Sequence, residues 1–564
     1  VSERPRSPLA SVRSWPDEFR LRYRAAGLWH EETFADFLAD RTDRFASRTA
    51  VVGVDAHGDE QRWTYRELAA RAAHAARVLR DAGVREGDRV VLTLPNVVEF
   101  VAFVAGCFRM GALPVFAQPG HREAELTQFC LLSDAAALVL CGDTAGYDHR
   151  GLAERVTGEL RRRGGTPPAV VDVQDPVTDG PALAGRPAAT TAPVTVRPGA
   201  SAEEVAFLQL SGGTTGISKL IPRTHADYLY SVRASAEICE LDEQSVMLVV
   251  LPAAHNFAMS SPGILGVLHA GGTVVLAPDP SPRTAFRLIE QERVTLTALV
   301  PPLAQAWLSS VRRRRPDLSS LRVLQVGGAK LADTVAAQLG PALGVRVQQV
   351  FGMAEGLVNY TRADDPESVT LTSQGRPISD HDEIRIVHPT DPAEPEVGDG
   401  EEGALLTRGP YTIRGYYRDE IADRDSFTAD GFYRTGDLVR RLPSGHLVVT
   451  GRAKDQINRA GEKVACEELE QPLLAHPEVL DVVALGLPDP YLGERICVVV
   501  RPEPEAASID TLPERLVAHL RDSGLATWKL PDDVRLLDVF PTTHVGKNSR
   551  RELRQLLASH LQEI

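Results

Sequence analysis

The sequence predicts an α/β protein. Its large N-terminal domain carries two βα sheet subdomains plus a small β-subdomain, and a small mobile α+β domain follows. Three observations lead there. Apolar strand-like runs alternate with helical runs over about 51–145 and again over about 205–350, the pattern of βαβ units and mostly parallel sheets. From about 380 short strands and turn residues such as Glu396-Val397-Gly398-Asp399-Gly400 take over. The chain has 564 residues, too many for a single core. The expected boundary divides 1–453 from 454–564.

Taken in order, the first 50 or so residues start polar and irregular, then place Phe34, Phe37 and Leu38 on one helical face. Thr64-Tyr65-Arg66-Glu67-Leu68 opens a long Ala/Arg helix, 89–94 is a strand, 98–110 a helix, and 113–116 and 136–140 are strands. Residues 164–203, rich in Pro, Ala, Thr and Gly, read as a connecting excursion. A second alternating block follows, with strands at 205–210, 245–251, 273–277, 296–300, 323–326 and 345–350, and helices at about 261–269 and 283–291. Two blocks of similar size fit two subdomains or one duplicated sheet. Strands at 383–387 and 403–407 belong to the β-subdomain. The C-terminal domain is expected to hold helices at 465–475, 509–523 and 550–561, with strands around 479–486, 496–500 and 533–537.

The composition excludes several functions. A formal net charge of −14 argues against nucleic acid or an anionic membrane as the main partner. Cysteines 107, 130, 141, 239, 466 and 497 are scattered, without CxxC or Cys/His spacing, and read as reduced, buried thiols of a cytoplasmic protein. No secretory h-region is visible at the start, and no apolar run reaches the length of a membrane span.

Five polar, glycine-punctuated stretches could carry chemistry. Ser211-Gly212-Gly213-Thr214-Thr215-Gly216-Ile217-Ser218-Lys219 follows the apolar strand 205–210 and precedes Thr224, a candidate helix cap. Glycines let backbone N–H groups approach an anion, hydroxyls add donors and Lys219 adds charge; a plain surface turn fits the loop equally well. It is not a Walker loop, which ends Gly-Lys-Ser/Thr. Gly327-Gly328-Ala329-Lys330 closes a strand where ligands of α/β sheets sit, although a tight turn has the same composition. Glu355, in Val350-Phe351-Gly352-Met353-Ala354-Glu355-Gly356, offers hard oxygens to Mg²⁺ or is a solvated residue at a helix start. Asp437, in Tyr433-Arg434-Thr435-Gly436-Asp437, can accept both hydrogens of a diol or merely sit in a turn. Lys547 is a point charge on a loop before the last helix, or simply an exposed lysine.

In this order the five stretches resemble the adenylate-forming superfamily of acyl-CoA synthetases, luciferases and peptide-synthetase adenylation domains, along essentially the whole chain. The segments His255-Asn256-Phe257-Ala258-Met259-Ser260-Ser261-Pro262-Gly263 and 348–361 are similar to the stand-alone aryl-acid adenylating enzymes of siderophore assembly. The resemblance implies that Ser211, Gly212, Gly213, Thr214, Thr215, Gly216 and Lys219 close over the phosphates of ATP. Gly328, Ala329, Val350, Phe351 and Gly352 would border the adenine, Asp437 would hold the ribose with Arg452 nearby, and Glu355 would bind Mg²⁺. Lys547, Glu355 and His255 form the implied catalytic set, with Lys547 bridging the acyl carboxylate and the α-phosphate. Lys454 would be the hinge about which the C-terminal domain swings, and Gly461 would face a tunnel for the phosphopantetheine thiol of an aryl carrier protein on a separate chain or module. Ile217-Ser218 and Ala460 depart from the usual pattern, where a proline and a second glycine are common.

For the acid itself the resemblance implies a pocket of Asn256, Phe257, Ser261, Ala329 and Val358, with Asn256 and Ser261 as the residues that hydrogen-bond the ring 2- and 3-hydroxyls. Ser261 and Val358 match the catechol-acid type, whereas Phe257 stands where those enzymes have tyrosine and matches the salicylate type. The expected reaction is activation of 2,3-dihydroxybenzoate to aryl-AMP with release of pyrophosphate, for siderophore or nonribosomal peptide synthesis. Salicylate and 3-hydroxypicolinate are the alternatives. An aryl-CoA ligase using free CoA and a non-catalytic adenylate-binding protein are the rival functions.

Overall fold

The computed structural model describes residues 12–144, 146–175, 201–211, 218–391, 393–453, 456–459, 462–489, 492–504, 506, 509–523, 525, 529–543 and 547–561. Its fold is mixed α/β, with large sheets in the N-terminal part and a smaller one near the C-terminus. The largest sheet has nine strands, in the order Arg376–Pro377, Leu357–Tyr360, Arg346–Met353, Val323–Gly327, Leu296–Leu299, Val246–Val249, Thr273–Leu276, Thr49–Val54 and Glu60–Thr64. A six-stranded sheet runs Leu220–Thr224, Val205–Leu210, Leu113–Phe116, Arg89–Thr93, Ala137–Leu140 and Ala169–Asp172. The inner pairings of both sheets are parallel; both edges of the nine-stranded sheet and the Leu220–Thr224 edge of the six-stranded one turn antiparallel, while Ala169–Asp172 at its other edge stays parallel. The two blocks are therefore two sheets rather than one duplicated sheet, and each borrows from the other's stretch of sequence. Thr49–Val54 pairs with Thr273–Leu276, and Val205–Leu210 with Leu113–Phe116. Parallel strands buried on both faces are placed by their apolar surfaces, not by chain adjacency.

Between the sheets, the helix Val98–Met110 is buried continuously from Val98 to Phe108 and stops at Gly111 in left-handed conformation. The core there is aromatic: Phe34 stacks on Phe108 at 4.5 Å, and Phe207 meets Tyr228 edge-on at 4.6 Å. Thr224 caps the helix His225–Ile238 as expected, its hydroxyl accepting from Asp227 N–H. Thr64 is likewise a cap and not the first helical residue, so the Ala/Arg helix is Tyr65–Asp81. The excursion at 164–203 begins with a real edge strand, Ala169–Asp172, whose apolar run pairs with Ala137–Leu140.

A four-stranded antiparallel sheet, Glu383–Val387, Glu402–Arg408, Tyr433–Arg441 and Leu447–Arg452, forms the β-subdomain. Beyond it lies a five-stranded sheet of Glu462–Ala465, Gln456–Arg459, Gly493–Pro502, Val479–Asp489 and Asp533–Leu536, with the helices Cys466–Leu474, Leu512–Asp522 and Arg550–Leu561. Its two long strands exceed the expected 479–486 and 496–500 because their register continues to Asp489↔Gly493. The six cysteines are free and buried. Among the described residues no helix is long and apolar enough to cross a membrane.

Candidate active site

The strand Val323–Gly327 ends at Gly327-Gly328, and the site forms around that end. A Cβ on Gly327 would lie 3.1 Å from the Phe257 ring, so the ring lies flush against bare backbone. Gly328 has φ +81°, and a Cβ there would meet Lys547 at 2.9 Å from Cε and 3.2 Å from Nζ. The lysine of the C-terminal part therefore reaches the end of a central strand of the N-terminal part.

The charges around Lys547 fit that approach. Burial, and next the Arg452 guanidinium, lower its ammonium to about 8, opposed by Asp437. Asp437 lies inside the strand Tyr433–Arg441, opposite Arg452, rather than in a turn. Arg452 Nε donates to its Oδ1 at 2.8 Å, while Oδ2 is buried with no hydrogen-bond partner among the described residues. Burial pushes this carboxyl up and Arg452 holds it down. A buried acceptor left open costs about 1–3 kcal/mol, which makes Oδ2 a ready acceptor for a ligand hydroxyl.

His255 caps the short helix Asn256–Ser260, its Nδ1 accepting from Phe257 N–H at 3.2 Å. Burial, reinforced by Lys547, lowers the imidazole to about 3, so it is neutral and no proton-transfer partner near pH 7. Ser261 ends the same helix and is buried. Val358, in the strand Leu357–Tyr360, is buried opposite Gly352, where a Cβ would lie 3.3 Å from its Cγ2. Phe351 and Gly352 belong to the strand Arg346–Met353, which runs past the expected end at 350 because it pairs antiparallel with Leu357–Tyr360. Ala329 is exposed beside Gly328.

Glu355 is neither solvated nor at a helix start. It sits buried in the hairpin turn between Arg346–Met353 and Leu357–Tyr360, and its Oε1 accepts from the Tyr416 hydroxyl at 3.0 Å. Lys219 closes the distance from the other side, its Nζ 4.4 Å above the Tyr416 ring. Ser211 Oγ accepts from Lys219 N–H at 2.9 Å, pinning the base of the loop. Gly212, Gly213, Thr214, Thr215 and Gly216, together with Lys454 and Gly461, lie outside the described residues.

Sequence reasoning missed the residues that hold these groups in place. Arg223, fully buried, donates to Ala354 O at 2.7 Å and Tyr411 O at 2.9 Å, with Asp227 as counter-ion at 2.9 Å. It ties the strand after the glycine loop to the Glu355 turn. A lone arginine within the apolar strand Leu220–Thr224 was the available signal, since a buried charge needs partners. Tyr416 and Tyr228 carried no such signal.

Among the described residues no group of three His, Cys, Asp or Glu could hold a metal by itself. A lone carboxylate suits Mg²⁺, which commonly takes one or two carboxylates and completes its shell with phosphate oxygens and water. A lysine brought to a strand end, an open buried carboxylate oxygen and a second carboxylate bonded to the tyrosine beneath Lys219 fit an adenylate-forming ligase. The chain belongs to the AMP-binding enzyme family: residues 38–417 match it, and residues 468–547 match the AMP-binding enzyme C-terminal domain. It is 50% identical to the 2,3-dihydroxybenzoate-AMP ligase of Bacillus subtilis (strain 168) over 98% of this chain and 99% of that one. It is 44% identical to the salicyl-AMP ligase / salicyl-S-ArCP synthetase of Mycobacterium tuberculosis over 98% and 96% of the two chains. The apo structure of Mycobacterium smegmatis MbtA superposes with a TM-score of 0.72 at 43% identity, covering 97% of this chain and 99% of that one.

Proposed function

We propose that the enzyme activates an aryl carboxylic acid, 2,3-dihydroxybenzoate first, with ATP and Mg²⁺, and passes the acyl group to the phosphopantetheine thiol of an aryl carrier protein with release of AMP. The observation that carries this reading is the approach of Lys547 to Gly328, beside His255, Phe257 and Asp437. The acid carboxylate attacks the α-phosphorus of ATP, an acyl–phosphate bond forms, and the bond to the β-phosphate breaks to release pyrophosphate. Lys547, cationic near neutral pH, offsets the repulsion between carboxylate and phosphate and the charge gathering on the α-phosphate oxygens. Asp437 Oδ2 accepts from a ribose hydroxyl, and Lys219 with the 211–216 loop holds the leaving pyrophosphate. Glu355 would hold the magnesium, which when bound screens the triphosphate charge. Neutral His255 caps the pocket helix and adds no charge beside Lys547.

Residues 1–453 and 454–564 act as two parts in this reading. The second turns about Lys454 after adenylation, so that Lys547 leaves and Gly461 faces the thiol path. The high identity to a 2,3-dihydroxybenzoate-AMP ligase supports the choice of acid, with Ser261 and Val358 in its favour and Phe257 pointing to salicylate. The cytoplasm is the proposed location, in keeping with six free thiols. ATP–pyrophosphate exchange across benzoic, picolinic, aliphatic and amino acids tests the first step. Preference for an aliphatic or amino acid overturns it. Thioester formation only on free CoA, with none on a phosphopantetheinylated carrier, overturns the second step.

A further inference from the structure

Asn256 opens the pocket helix, and its amide can face the acid in two ways, with N–H₂ donors or with a carbonyl acceptor. These are chemically opposite pockets. The choice is made from behind. Tyr228, 1% exposed, donates its hydroxyl to Asn256 Oδ1 at 2.7 Å. The ring has no freedom to withdraw: it stands edge-on to Phe207 at 4.6 Å, and the Arg223 guanidinium covers it at 4.8 Å. Gln209 Nε2 is buried without a hydrogen-bond partner among the described residues, and the Ser260 hydroxyl and the Gln209 side chain both lie near the same phenol oxygen, where each can act as a donor to it. Polarity then runs one way, with a donor behind the phenol, the phenol proton on Asn256 Oδ1, and Asn256 Nδ2 left for the pocket. Asn256 Nδ2 makes no hydrogen bond among the described residues. Burial lifts the phenol to about 12, so the hydroxyl keeps its proton across the working range.

We infer that Tyr228 is a positioning residue that locks the Asn256 amide with its N–H₂ toward the substrate, so that the ring position beside the carboxylate must carry an acceptor. This rests on the aryl-acid reading above. A 2-hydroxyl meets the demand because its own proton is held internally by the neighbouring carboxylate, leaving an oxygen lone pair outward. A 2-amino group fails it. The nitrogen lone pair is drawn into the ring and two N–H donors face two more, leaving donors unsatisfied.

The test compares kcat/KM for 2-hydroxybenzoate and 2-aminobenzoate by pyrophosphate exchange in the parent and in Tyr228→Phe, which loses one oxygen atom. In the parent the 2-hydroxy acid leads. In Tyr228→Phe the amide is free to turn, and the ratio falls on the order of tenfold while KM for ATP stays within about twofold. A ratio within about twofold of the parent, or an equal loss for both acids, overturns the inference. Asn256→Asp supplies the second variant. Tyr228 still donates to one carboxylate oxygen and the other presents an acceptor, so preference moves toward the 2-amino acid; an unchanged ratio counts against the lock. A parent without any aryl-acid-dependent exchange sinks the function proposed above. A parent with strong 2-hydroxy preference that both variants retain sinks only the lock.

Discussion

The lowered ammonium of Lys547 sets a pH limb. Its folded value of about 8, below the ordinary 10.5, comes from burial and Arg452. Raising the pH removes the cation. The free enzyme holds about 90% of it at pH 7, half at pH 8 and about 10% at pH 9. The quotient kcat/KM, which reports the free enzyme, therefore falls about tenfold per pH unit above 8. With ATP and the acid bound, added negative charge favours the ammonium, so the limb in kcat lies at higher pH than the limb in kcat/KM. His255, at about 3, contributes no limb above pH 5. The Lys547→Ala variant loses the limb together with about 10²–10³-fold in exchange rate, the usual scale for one group aimed at developing charge. The assay is ATP–pyrophosphate exchange from pH 6.5 to 9.5 at fixed free magnesium. If Lys547→Ala keeps a limb near 8, another group owns it. If it exchanges as fast as the parent, the assigned role of the lysine is wrong.

Three other outcomes follow from the geometry. Glu355→Gln keeps the Tyr416 hydrogen bond and removes the charge, so the magnesium concentration for half-maximal exchange rises about tenfold or more with KM for the acid little changed; an unaltered magnesium titration refutes the assignment. Ser261→Ala leaves a 3-hydroxyl without a partner and shifts the kcat/KM ratio from 2,3-dihydroxybenzoate toward salicylate by about 1–3 kcal/mol; a constant ratio places Ser261 away from the 3-position. Gly356 has φ +115° and a Cβ there would lie 1.8 Å from Tyr411 O, so Gly356→Ala destabilises the Glu355 hairpin by more than about 3 kcal/mol, read as a lowered denaturation midpoint; parent-like stability contradicts the packing.

What the sequence determined by itself is the chemistry and most of the elements. Taken singly, Ser211, Lys219, Glu355, Asp437 and Lys547 each fit a plain turn or a solvated side chain, and it is their order along the chain, with its resemblance to the adenylate-forming superfamily, that marks them as candidates. Hydrophobic periodicity is local as well, which is why 98–110, 113–116 and 205–210 read correctly. The C-terminal strand lengths and the Glu355 hairpin escaped it, because pairing with a partner strand extended or turned what periodicity left open. Only the tertiary structure decided which polar groups meet. Tyr416 joins Glu355 to Lys219, Arg223 ties the loop strand to the hairpin, and Tyr228 orients Asn256. A hydrogen bond depends on positions within a few tenths of an ångström, and those are set by how two sheets and an aromatic core pack. The sequence therefore announced a nucleotide and an acid, while the packing behind Asn256 determines which face of one amide the acid encounters.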